Sequence, residues 1–143
     1  MRTAFATIVS AVIAQLSAAP AVCDKIYRSS SSVVPDQVDR AINVEFNRAL
    51  PQLATIAGAP IDWSSTISVE CFARSLTESG DLAVDPLLFA VFERLAQDPT
   101  LGGLIGDLTV VGVEAENALE GKKTGWVRIT YVADHRTNNS TLD

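Results

Sequence analysis

The sequence predicts an α+β fold, a mixed or antiparallel β-sheet with α-helices packed on one face. Three observations carry that expectation. Residues 3–18 and 86–97 repeat apolar side chains at helical spacing. Residues 40–47, 63–74, 108–116 and 126–133 read as strands, three of them with the period of two expected of a half-buried strand. The order, helix then strands then helix then strands, groups like elements and so leaves the helices to share one side of a sheet.

The first helix is amphipathic. Phe5, Ile8, Val9, Val12, Ile13 and Leu16 form its apolar side, and Thr3, Thr7, Ser10, Ala14 and Ser17 the other. Its positive start and the later Ala19-Pro20-Ala21 imitate a secretory signal, but an h-region needs no polar side, and this one is broken by Thr7, Ser10 and Gln15. Pro-Ala-Val before Cys23 also fits a lipoprotein attachment site poorly. The segment is too short and too polar to span a membrane.

Pro20 ends that helix. Residues 25–28 form a short strand, and residues 29–32 with Pro35-Asp36 a polar loop. In the strand at 40–47, Ile42, Val44 and Phe46 point one way and Asn43, Glu45 and Asn47 the other. Residues 50–60, bracketed by prolines and holding Gly58, read as a connecting excursion. The strand at 63–74 carries Ile67, Val69, Cys71 and Ala73 on its apolar side. Asp85 is placed to cap the second helix with Pro86 as its first residue. Leu87, Leu88, Val91, Phe92 and Leu95 then recur at helical spacing until Asp98-Pro99. A hairpin loop at 120–125 joins the last two strands, with Val127, Ile129 and Tyr131 on one side. Residues 1–133 thus make one domain, and residues 134–143 a polar tail.

Composition narrows the function classes. A chain of 143 residues, 48% apolar and 20% charged, can bury a core of its own. A net charge of -6 opposes general nucleic-acid binding, which needs a basic surface. Two cysteines, Cys23 and Cys71, beside Val22 and Phe72, read as buried free thiols and supply no metal-ligand spacing. The single histidine, His135, falls in the polar tail and gives poor support for a general base. No nucleophile-elbow, phosphate-loop or dinucleotide motif occurs; Gly121-Lys122-Lys123-Thr124-Gly125 joins strands rather than opening a helix. Glu114 and Glu116, two apart, read as a solvated strand face, and the sequons at Asn138 and Asn139 as features of a polar tail. No cofactor, metal or catalytic set is expected.

One resemblance spans these elements. The strand Trp63-Ser64-Ser65-Thr66-Ile67-Ser68-Val69-Glu70-Cys71-Phe72-Ala73-Arg74 ends in a polar turn. A helix with Asp85, Leu88, Val91 and Leu95 follows, then Asp98-Pro99-Thr100-Leu101-Gly102-Gly103-Leu104, and the chain closes on Trp126-Val127-Arg128-Ile129-Thr130-Tyr131. Residues 62–133 in this arrangement resemble the tail terminator (minor tail protein U) family of long-tailed bacteriophages and prophages, and the first half is compatible with it. Residues 50–60 and those after Ala133 depart from the family pattern.

The resemblance implies a non-enzymatic subunit of a homohexameric ring. Such a ring caps the last ring of the tail tube, stops tail polymerisation and offers a docking surface to the head–tail connector. The genome passes through its lumen without specific binding. Its implied location is the head-proximal end of the tail in the virion, after synthesis in the bacterial cytoplasm. The candidate assembly contacts are Ser29, Ser32 and Asp36 in the first loop, Lys122 and Lys123 in the hairpin, and Arg136 in the tail. Three other readings stand beside it: another head–tail joining or tail-completion protein, a secreted or periplasmic binding protein with a cleaved signal, and a small hydrolase that would need His135.

Overall fold

The structure, a computed structural model, describes residues 2–29, 38–52, 58–119 and 123–143, and all of their side chains except those of 116–119 and 123. The elements are α1 (Ala4–Ser17), β1 (Ile26–Arg28), β2 (Arg40–Pro51), β3 (Ile61–Ser75), α2 (Gly80–Ala96), β4 (Asp107–Leu119) and β5 (Lys123–Thr137). They form a five-stranded mixed sheet in the order β1-β2-β3-β5-β4. β1 runs parallel to β2, and every other neighbour is antiparallel. The fold is therefore α+β.

Alternation along the strands decides which face is dry. Ile42 and Val44 of β2, Ile67, Val69, Cys71 and Ala73 of β3, and Val127, Ile129, Tyr131 and Ala133 of β5 are all buried in one cluster. The helices complete it with Ile8, Val9, Val12 and Leu16 from α1 and Val84, Leu87, Val91 and Leu95 from α2. Both helices thus cover the same face, and burying their apolar stripes supplies most of the drive to fold.

Thr3 caps α1, its hydroxyl oxygen accepting from the Ala6 N–H at 3.4 Å. The other end of α1 has no basic residue in its last turn, and α2 supplies one. Arg94 donates to the carbonyls of Gln15 at 3.1 Å, Ala18 at 2.8 Å and Pro20 at 2.5 Å. A guanidinium there satisfies carbonyls that the helix leaves open and lies favourably at the negative end of its dipole. The same contact fixes the layout: α1 lies on one flank of α2, so the opposite flank looks toward β4.

The structure corrects three sequence expectations. β2 does not end at Asn47 but runs to Pro51, with a register shift between Phe46 and Arg48. The extra residue reverses the alternation, so the period of two stops being legible just where the strand continues. Second, α2 starts at Gly80 with Ser79 as N-cap, and Pro86 lies inside it rather than at its start after an Asp85 cap. Val84 extends the buried stripe one turn earlier. The missing Pro86 N–H falls on the exposed side, where water can serve the Leu82 carbonyl. Third, β5 ends at Thr137, not Ala133, so residues 134–137 belong to the sheet. Beyond it, the Leu142 carbonyl accepts from the Ala4 N–H at 2.8 Å. The alternation persists through 137 but with polar residue types, which hid it.

α2 meets β5 backbone to backbone at two glycines. A Cβ on Gly80 would lie 2.2 Å from the Thr124 carbonyl oxygen, and one on Gly125 would lie 1.9 Å from that of Gly80. Neither carbonyl can yield without moving the helix off the sheet. Gly125→Ala is therefore expected to destabilise the fold by about 3 kcal/mol, the upper end for an overpacked core. Gly112→Ala, with nothing within 4 Å of its added Cβ, should cost much less. Urea unfolding of the two variants checks this; equal midpoints would refute the contact.

Candidate assembly edge and the buried His135 cluster

β4 is the long strand at the sheet's edge, and the register places its core-side residues next to buried partners. Leu108 pairs with Ala133, Val110 with Tyr131, Val113 with Ile129 and Ala115 with Val127. Their partners are buried, but β4 itself is bare: Val110 is 38% and Val113 57% exposed, and Val111, at a register shift, 58%. The reason is a shortage of helix. α1 lies over β1 and β2, and α2 over β3 and β5, which leaves no third helix among the described residues for β4. On the flank of α2 away from Arg94, helical spacing puts Phe92, 49% exposed, and the partly buried Leu88 above this strip. The result is an open apolar strip beside a strand edge that no other strand pairs among the described residues.

The other cluster lies at the far end of the core face. Ser65 Oγ and His135 Nε2 are 2.6 Å apart, and both residues are buried. Phe5 stands edge-on to the His135 ring at 5.5 Å and to Trp63 at 5.2 Å, and lies tilted 5.3 Å from Phe46. Trp63 Nε1 donates to Thr137 Oγ1 at 2.8 Å. His135 Nδ1 and the Tyr131 hydroxyl have no hydrogen-bond partner among the described residues. Desolvation holds the imidazole below its ordinary pKa, opposed by the negative charge of Asp134. Burial likewise raises the Tyr131 phenol, with the Cys71 charge adding to it.

A serine within hydrogen-bond distance of a histidine is the start of a nucleophilic dyad, but the rest is missing here. Ser65 has no exposed surface from which to attack, and His135 Nδ1 meets no carboxylate to orient it. The Ser65–His135 hydrogen bond joins β3 to β5, and Phe5 of α1 packs against the His135 ring. Sequence reasoning placed His135 in a tail and missed this cluster. The signal was present: His135 and Thr137 continue the inward series Val127, Ile129, Tyr131 and Ala133.

Of the expected contact residues, the structure describes Ser29, Lys123 and Arg136, which lie at separate places along the sheet. Ser29 follows β1 in a left-handed conformation with φ 48°, its N–H donating to the Val44 carbonyl at 2.9 Å. Ser32, Asp36 and Lys122 lie outside the described residues. Lys123 opens β5 opposite Ser75, whereas Arg136 sits at the other end of that strand. There Arg136 pairs with Asp62, Nε to Oδ1 at 2.7 Å, which holds the Asp62 carboxyl below its usual range. Cys23 and Cys71 are both free and buried, as expected. Burial, then the nearby Cys23, pushes the Cys71 thiol up to about 12.

No protein-family model matches the chain, and no curated protein matches it. Among the described residues, no helix is long and apolar enough to cross a membrane, and no group of three or more His, Cys, Asp or Glu side chains could hold a metal ion.

Two outcomes follow from the buried groups. His135 is the chain's one histidine, so it alone among side chains titrates between pH 7 and pH 5. Its folded pKa lies below the ordinary histidine value of 6.5, so the unfolded chain binds more protons there. Stability should be full above about pH 6.5 and decline as pH falls through that value, and His135→Gln should flatten the decline. Thermal melts at several pH values measure it; an equal slope in the variant would refute it. Cys71 should resist alkylation at pH 8 in the native protein and react in urea, as read by intact mass.

Proposed function

We propose that this chain is a tail terminator: a ring-forming subunit that caps the tail tube of a long-tailed phage and performs no catalytic step. The observation that carries an assembly role is β4, whose Val111 and Val113 are more than half exposed and whose outer edge no other strand pairs among the described residues. Long apolar edge strands invite pairing, and monomeric proteins blunt them with lysine, proline or a covering loop. The described side chains of β4 include neither lysine nor proline. An exposed apolar patch beside a free edge marks a protein–protein contact.

The resemblance of residues 62–133 to the tail terminator family supplies the specific reading. In it, six copies close a ring on the last tube ring, the ring's free side meets the head–tail connector, and DNA passes through the lumen. The subunit would then act in the virion at the head-proximal end of the tail. A net charge of -6 suits a conduit that does not hold the passing duplex. Capping is a matter of surfaces: one side of the ring binds the growing end, and the other presents no tube-binding face.

Deleting the gene from its phage or prophage is expected to give overlong tails without heads, seen by negative-stain microscopy. Tails of normal length that only fail to join heads would overturn the terminator reading in favour of another joining protein. Native mass spectrometry of the assembled cap should show six copies.

A further inference from the structure

The geometry points to a head-to-tail contact in which the β4 edge of one copy receives the β1 edge of the next, and we propose this as the wiring of the assembly. It rests on the assembly role proposed above and names the occupant of the β4 edge.

Charge selects the occupant. The charged residues among the described side chains of β4 are Asp107 and Glu114, both acidic. Asp107 pairs with Asp134 on β5, and Asp81 and Asp85 lie by helical spacing on the same flank of α2 as Phe92. Glu114 lies opposite Arg128 on β5, so the acidic excess of this side gathers at the Asp107 end and along the α2 flank. Two β4 strands pairing with each other would bring two edges without a lysine or arginine among their described side chains together, which disfavours a two-fold dimer.

The other edge of the sheet has the complementary character. β1 is Ile26-Tyr27-Arg28, preceded by Lys25, and its two cations outnumber Asp24. Arg28 is held in place by α1, donating to Ser10 Oγ at 2.7 Å and to the Ala6 carbonyl at 2.9 Å. The inward backbone groups of β1 are those of odd residues: the Lys25 carbonyl accepts from Ile42, and the Ser29 N–H donates to Val44. In a parallel pair the alternate residues, Ile26 and Arg28, therefore turn their N–H and C=O groups outward. One chain thus presents an apolar edge with an acidic end and, across the sheet, a basic edge whose outward backbone groups have no partner among the described residues. Two different surfaces that fit each other generate a ring when the rotation closes.

Two variants test the wiring. Val113→Lys blocks β4 at an exposed position, and Lys25→Glu reverses the charge beside β1 on an exposed side chain; circular dichroism confirms that each folds. In sedimentation velocity over a range of concentrations, the wild type should exceed a dimer, and each variant alone should stay monomeric. Their mixture should give a 1:1 heterodimer, because one intact β4 edge and one intact β1 edge remain. A Val113→Lys, Ile26→Pro pair gives a second, backbone-based version of the same mixture. A wild type that is monomeric throughout, a β1 variant that still dimerises, or a mixture that stays monomeric would overturn the proposal. The tail-length assay is independent, so an oligomer that survives both variants sinks this wiring alone.

Discussion

β3 and β5 pair without a register shift from Ile61 opposite Thr137 to Ser75 opposite Lys123. Because side chains alternate at a period of two, this one ladder fixes the facing of both strands along their whole length. A slip of one residue would turn the inward set of one strand, such as Val127, Ile129 and Tyr131 of β5, to the open face while Ile67, Val69 and Cys71 of β3 stayed inside. β2 and β4 then add to its two sides, each with one register shift, and the helices lie on the face it makes apolar. Distortion is confined to the outer strands, where a bulge costs least packing.

The helices depend on that ladder in different ways. α2 sits on it through a backbone contact at Gly80 and Gly125 that tolerates no side chain, so its height above the sheet is set by sterics. α1 is held by α2 and by the aromatic end of the core. Arg94 closes its C-terminal carbonyls, and Phe5 packs on Phe46, Trp63 and His135. Two helices over five strands leave one strand uncovered, and the closeness of α2 to β5 keeps α2 from reaching across. The bare β4 follows from the way the core is built.

This arrangement separates what the molecule keeps for itself from what it offers. Its polar pairs near the core, Ser65 with His135 and Trp63 with Thr137, are buried and serve packing. Part of its exposed apolar surface lies on β4 and the facing flank of α2, while Leu50, Leu76 and Phe89 are exposed elsewhere. In the assembly role proposed for it, the subunit would cover this strip by association with a neighbour.

The sequence by itself determined the fold class, both helices, the core side of the strands and the buried state of the cysteines, because each is written in local spacing. It could not show where β2, α2 and β5 end: a bulge reversed the alternation, Pro86 imitated a helix start, and His135 and Thr137 continued an inward series in polar letters. Of the expected contact residues, chosen for loop polarity, Lys123 and Arg136 fall at opposite ends of one strand. The β4 edge and the Ser65–His135 pair were decided by tertiary structure alone. Exposure of a valine depends on whether a helix distant in sequence lies above it, and pairing of a serine with a histidine depends on strand register. Neither is a local property of the chain.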